Sequence, residues 1–409
     1  MAETIFYVLI GIIVADFLFE RWLDWLNKSC WNSKLPEALK GIYDEEKYQK
    51  SMDYEKENHR FSQITSAYGL VLILGMFLLN GFGWLNGWAN GFTSNIIFQA
   101  LIFFGVLMFA SDILNLPFSW YATFSIEERF GFNKTTPKLF VMDKLKGWLV
   151  MAILGGGILA AIVWFFQLAG SMFWLYAWGV VSFFSIFMAM FYSNLIVPLF
   201  NKQKPLEDGE LKDAINALAS KAGFKLNNIF VIDGSKRSTK ANAYFTGLGA
   251  KKRIVLFDTL INDLETEEIV AVLAHEIGHY KHKHIVKGLI TSLLQTGAML
   301  FILSLFVNRP ELSQALGAEK ATFHLGLIAF GILYTPLSLV LGLIQNVVSR
   351  KNEYEADAFA ANLGLGEALI SGLKKLSVNN LSNLTPHPTY VFFHYSHPTV
   401  LQRMEALRK

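Results

Sequence analysis

Seven stretches of this chain are long and almost free of charge, at roughly residues 4–20, 62–84, 97–121, 147–168, 172–198, 286–307 and 325–347. A helix needs about 20 mostly apolar residues to cross a bilayer, where its backbone polar groups must be satisfied internally. Runs of this length point to one fold class: mainly α, a polytopic membrane protein with seven transmembrane helices. Buried helices of a large soluble core would be shorter and more often interrupted. The first stretch, TIFYVLIGIIVADFLF, has no basic leader and no small-residue cleavage site after it. It reads as a retained span, not a signal peptide.

Composition narrows the function classes. Charged residues are 17% of the chain, against about 25% in a soluble domain. The formal charge is only +3, so no nucleic-acid partner is indicated. A single cysteine, Cys30, excludes an intrachain disulfide and a cysteine-rich metal site. Any metal ion must be held by His, Asp or Glu.

Loop charge sets an orientation. The segments near 21–61 and 122–146, the long stretch 199–285 and the tail after 348 carry most of the Lys and Arg; those near 85–96 and 169–171 carry none. Basic loops favour the cytoplasmic side. The N-terminus is then outside, and the C-terminus inside. This divides the chain into spans 1–5 with their loops (1–198), a cytoplasmic loop domain (199–285), spans 6–7 (286–347) and a cytoplasmic C-terminal region (348–409). Within the loop domain, LEDGELKDAINALASKAGF reads as a helix, NNIFVID and RIVLFDTL as short strands, and EEIVAVLAHEIGHYKHKH as a second helix with Thr266 as its N-cap.

That second helix contains His275-Glu276-Ile277-Gly278-His279, the pattern H-E-x-x-H. Residues i and i+4 share a helix face, so two imidazoles can meet one tetrahedral ion. Glu276 can reach a water on that ion without being a ligand. A catalytic zinc keeps a third protein ligand and one open position. The best candidate follows the seventh apolar run, in RKNEYEAD, where Glu353 and Asp357 are i and i+4 and Glu355 points away. Glu353 offers a ligand; Asp357 can accept the free N–H of a ligand histidine. His282 and His284 fall off the His275/His279 face and read as polar groups near the membrane surface. In the tail, His397 and Arg403 can stabilise an oxyanion near a metal, although a His-Pro turn capping a helix is an equal reading of HYSHPT. Polar residues inside the runs, Asp16, Asp112 and Gln295, should face another helix or a cavity rather than lipid.

Together these residues resemble the zinc-dependent CAAX prenyl protease 1 family. The resemblance is carried by LPFSWYATFSIEERFGFNKTT at 116–136, ANAYFTGLGAKKRIVLFDTL at 241–260, AVLAHEIGHYKHKH at 271–284, SRKNEYEADAFA at 349–360 and HYSHPTVLQRM at 394–404, in that order. It implies seven spans around an intramembrane chamber, with one Zn2+ per chain near the cytoplasmic side. It also implies zinc ligands His275, His279 and Glu353, a general base Glu276 and a supporting acid Asp357. Asn242, Ala243 and Tyr244 would form a substrate-binding edge strand, with His397 and Arg403 near the transition-state oxyanion. The implied activity is endoproteolysis in contact with membrane lipid, the substrate a peptide or protein that is prenylated at a C-terminal CAAX motif. The compact loops and a tail ending in ALRK resemble the shorter prokaryotic members, so a bacterial inner membrane is expected in preference to the endoplasmic reticulum. Two other readings share part of this pattern. A quality-control zinc protease acting on non-prenylated proteins has the same motif but fewer spans. A transporter with a structural metal leaves Glu276 without a role, because structural zinc is closed by four protein ligands.

Overall fold

The computed structural model describes residues 1–32, 34–224, 229–246 and 253–409. Among the described residues, six helical stretches are long and apolar enough to cross a membrane: Ala2–Ser29, Glu45–Leu78, Ile96–Phe130, Pro137–Phe200, His284–Phe306 and Phe323–Asn362. Seven were expected, and the fourth stretch accounts for the difference. Its helix Gly156–Ala169 ends at Gly170, whose φ of +53° is a value glycine adopts readily, and the chain returns as Phe173–Leu195. The two limbs pack together, with Phe165 stacked on Tyr176 at 5.3 Å and Phe166 edge-on to Phe173 at 5.3 Å. The stretch therefore runs out and back, as two passes.

Capping residues set where the spans begin. The Asp44 carboxylate accepts from the Lys47 N–H at 2.7 Å, so the helix starts in the charged segment well before its apolar run. It stops at Leu78, short of the expected residue 84. Asn80 adopts φ +53°, and a separate helix, Gly81–Phe92, fills what reads in sequence as a loop. Asn95 and Thr136 cap the next two starts, the latter followed by Pro137 in the first turn.

Two apolar clusters join the spans. Leu9, Phe77, Phe82, Phe103 and Leu325 form one; Val163, Phe173, Leu300 and Phe323 form the other. Large apolar side chains such as Val71, Leu168 and Phe183 lie exposed on these helices, as contact with lipid would allow. Of the polar groups in the runs, Asp112 and Gln295 have partners on neighbouring helices, and Asp16 lines a cavity with Thr335, Gln345 and Asn346. Asp112 accepts from Lys144 Nζ and Trp148 Nε1, both at 2.8 Å, and Gln295 pairs with Gln345.

Outside the spans lies a four-stranded sheet in the order β1-β2-β4-β3, made of Gln203–Pro205 (β1), Ile229–Ile232 (β2), Ala243–Thr246 (β3) and Arg253–Phe257 (β4). β2 and β4 are parallel; the other pairs are antiparallel, with Ala243 opposite Leu256 and Tyr244 opposite Val255. Residues 227–228 and 247–252 of the expected strand region fall outside the described residues. The helix Thr266–Lys281 buries Ile269, Leu273 and Ile277 against Ile254, Leu256 and Ile215. Its N-cap is Glu265, not Thr266. The Glu265 N–H donates to Glu268 at 2.9 Å, completing a reciprocal capping box that Thr266, with Ile269 three residues on, cannot form.

Candidate metal centre

Two helices cross to build the site. The helix Thr266–Lys281 brings His275, Glu276 and His279, and the helix Phe323–Asn362 brings Glu353, Glu355 and Asp357. They approach closely because Gly278 has no side chain. A Cβ there would lie 3.0 Å from Ala356 Cα and 3.1 Å from Ala356 O. Ala356 stands between Glu353 and Asp357 as Gly278 stands between the two histidines, so the small pair sets the ligand spacing.

Three donor atoms converge. His275 Nε2 and His279 Nε2 are 3.1 Å apart; His279 Nε2 lies 3.1 Å from Glu353 Oε1, and His275 Nε2 lies 3.5 Å from Glu353 Oε2. Zinc with ligand bonds of 2.0–2.1 Å in a tetrahedron would need donors about 3.3 Å apart, which these match.

The hydrogen bonds behind the donors say what can sit between them. His275 Nδ1 is 2.8 Å from Asp357 Oδ1, so its proton is on Nδ1 and a lone pair is on Nε2. His279 Nδ1 is 3.0 Å from His284 Nδ1, whose own Nε2 is 3.0 Å from Glu355 Oε2. The buried Glu353 Oε2 has no hydrogen-bond partner among the described residues. Imidazole nitrogens crowded against a buried carboxylate, one of whose oxygens lacks a hydrogen bond, favour a cation between them. The residues present therefore fit a divalent metal ion.

Electrostatics agree. Burial disfavours charge on His275, but the carboxylates of Asp357 and Glu353 outweigh it and hold the imidazole above its usual pKa. That negative field favours a proton or a metal ion alike. Arg403 is buried and its charge is strengthened, because Asp357 outweighs the desolvation. Its Nε and Nη2 donate to Asp357 at 2.8 and 2.6 Å, and Nη1 lies 3.5 Å from Glu353 Oε2.

The other sequence-indicated residues fall around this core. Glu276 is half-buried and has no hydrogen bond or ion pair among the described residues. His397 Nε2 lies 3.3 Å from Glu353 Oε1 with its side chain 61% exposed, so it stands at the mouth of the site. Asn242 precedes the edge strand. Its side chain accepts from the Ala243 N–H at 2.8 Å and its carbonyl from the Phe257 N–H at 3.1 Å. Ala243 and Tyr244 begin β3, beyond which no further strand lies among the described residues. Sequence reasoning missed His284 and Glu355. It set them apart from the metal-binding face, yet a turn at Lys283 with φ +59° folds His284 back beneath His279.

Comparison with known proteins agrees with this geometry. Residues 26–202 match the family model described as CAAX prenyl protease N-terminal, five membrane helices, and residues 205–409 match peptidase family M48. The CAAX prenyl protease 1 of Saccharomyces cerevisiae is 36% identical over 98% of this chain and 94% of its own. The homologue from Arabidopsis thaliana is 36% identical over 100% and 98%. A crystal structure of S. mikatae Ste24p superposes with a TM-score of 0.94, covering 99% of each chain at 36% identity. These relatives come from yeasts and a plant, and lend no support to the expected bacterial membrane. The chain thus belongs to the CAAX prenyl protease 1 group of peptidase family M48, and is a multi-pass integral-membrane zinc metalloendopeptidase.

Proposed function

We propose that this chain binds one zinc ion through His275 Nε2, His279 Nε2 and the Glu353 carboxylate, and cleaves prenylated proteins at a C-terminal CAAX motif. The observation that carries the metal site is the convergence of two imidazole Nε2 atoms on the two oxygens of one buried carboxylate. The names of the relatives support the substrate class.

Zinc in this position would supply a Lewis acid that acidifies water and polarises the scissile carbonyl. The chain's own residues do the rest. Glu276, whose carboxylate has no hydrogen bond or ion pair among the described residues, takes the proton of the attacking water and returns it to the leaving amine. Asp357 keeps the His275 proton on Nδ1, and Arg403 holds Asp357 in place. Arg403 Nη1 and His397 are the donors nearest the Glu353 oxygens, and they would meet the oxyanion as it forms. A substrate would lie extended along β3 from Asn242 to Tyr244. Main-chain pairing there gives register with little demand on side chains. A lipid chain held among the spans would add about 0.8 kcal/mol per buried CH₂.

The four-part division at 198, 285 and 347 follows the same reading, although each boundary falls inside a helix, Val197–Phe200, His284–Phe306 and Phe323–Asn362. The basic loops support a cytoplasmic zinc site and C-terminus, with the N-terminus outside. The test is cleavage of a farnesylated CAAX peptide and its non-prenylated twin by the purified protein, with and without chelator. Chelator-sensitive release of the C-terminal tripeptide from the farnesylated peptide alone is expected. Equal cleavage of the twin would favour the quality-control reading. Cleavage that survives full metal removal would refute the zinc site.

A further inference from the structure

We propose that His284 and Glu355 are positioning residues for the metal ligand His279, forming a hydrogen-bond relay that fixes its tautomer. The inference rests on the assignment of His279 as a ligand, and it gives a role to two residues that the mechanism above does not use.

His279 and His284 are five residues apart, a spacing that no continuous helix would bring face to face. Lys283 breaks the helix in a left-handed conformation, and the next helix begins with His284 tucked under the first. His284 is 6% exposed although it is a polar residue at a helix start. Both its ring nitrogens are engaged: Nδ1 with His279 Nδ1 at 3.0 Å and Nε2 with Glu355 Oε2 at 3.0 Å.

Two nitrogens facing each other share one proton, and the carboxylate decides where it lies. Ionised Glu355 only accepts, so His284 carries its proton on Nε2. Its Nδ1 then holds a lone pair and accepts from His279 Nδ1–H. His279 is left with a lone pair on Nε2, the atom that faces His275 and Glu353. The chain Glu355–His284–His279 thus does for one ligand what Asp357 does directly for the other. The helix Phe323–Asn362 carries all three carboxylates at two-residue steps: Glu353 as ligand, with Glu355 and Asp357 each controlling one imidazole. Lys351 Nζ at 3.8 Å and His282 Nδ1 at 4.0 Å also face Glu355, and the His282 ring is stacked on His284 at 5.5 Å.

The competing use of the same atoms is a second cation site made by His282, His284 and Glu355, whose donor atoms all lie within 4.8 Å of one another. There His284 Nε2 would carry a lone pair, and the relay would not form. Zinc stoichiometry and affinity separate the two. The full-length protein, purified in detergent and stripped of metal, is titrated with zinc against a competing chelator. His284→Phe keeps the ring volume and removes the acceptor; His284→Gln restores an acceptor oxygen; Glu355→Leu, on a partly exposed side chain, removes the far end of the relay without disturbing the core.

The wild type should bind one zinc. His284→Phe and Glu355→Leu should each bind it 10- to 100-fold more weakly, with the melting temperature of the metal-free protein unchanged. His284→Gln should recover most of the lost affinity. Affinity within twofold of wild type in Glu355→Leu would overturn the relay, as would a second zinc in the wild type that Glu355→Leu abolishes. Glu353→Ala serves as the control. If it keeps full zinc occupancy the ligand assignment itself has failed; if it loses zinc while Glu355→Leu does not, only the relay has.

Discussion

Asp357 accepts from His275 Nδ1 at 2.8 Å while Arg403 grips the same carboxylate through two nitrogens. All three side chains are buried. The triad is therefore both a support for the proposed ligand His275 and a neutralised charge cluster, and its removal should show in two measurements. Asp357→Ala leaves a buried guanidinium without its partner, which should cost about 3–5 kcal/mol in stability. Zinc affinity should fall about 10- to 100-fold. Thermal unfolding of the metal-free protein and zinc titration read the two effects separately; an unchanged melting temperature would contradict the charge argument.

Glu276→Gln should leave zinc binding intact and lower the cleavage rate about 10²- to 10⁴-fold. The amide keeps the shape of the side chain but cannot take a proton. Metal content by atomic absorption, alongside peptide turnover, checks both halves. Wild-type turnover by this variant would move the base to another residue.

Gly278→Val should push the two site helices apart. The added carbons would meet the backbone of Ala356, which cannot rotate away. A loss of about 1–3 kcal/mol is expected from overpacking, together with weaker zinc binding as the histidines retreat from Glu353. Gly278→Ala should be milder, because alanine regains about 1 kcal/mol of helix preference. If Gly278→Val binds zinc as the wild type does, the glycine does not set the spacing.

Glu268 gives a pH dependence. Burial opposes its ionisation, but Lys375, the Ser371 hydroxyl and the Glu265 N–H outweigh that and lower its pKa below the ordinary 4.5. A carboxyl with a depressed folded pKa stabilises the fold above its unfolded value, and the benefit fades as pH falls through the folded one. Glu268→Gln should therefore be less stable than wild type by about 1 kcal/mol at neutral pH, with the gap closing in acid below 4.5. Denaturant unfolding at several pH values tests this; a constant gap would rule out the charge as its source.

How much of this was legible beforehand depended on the range of the interactions. The spans were plain because an apolar run must be lengthy and uncharged wherever it packs. The pairing of His275 with His279 was readable because i, i+4 spacing fixes a helix face without knowledge of the tertiary fold. Asn80, followed by Gly81, carried a turn signal that the surrounding apolar run obscured. Lys283 was not readable, because lysine has no preference for positive φ. His284 was missed for that reason, since its approach to His279 exists only because of the Lys283 turn. The Glu265 cap was open to inspection, through the Glu268 three positions later, but glutamate is not among the preferred capping residues.

The helix from Phe323 to Asn362 has 40 residues. At 1.5 Å per residue it is a rod of about 60 Å, greasy at one end and bearing the metal-site carboxylates at the other. A slip by a single turn, about 5.4 Å, would exceed the 3.1 Å between Glu353 and His279. The close packing of Gly278 on Ala356, which holds this helix in register, therefore also keeps its carboxylates within reach of the two imidazoles.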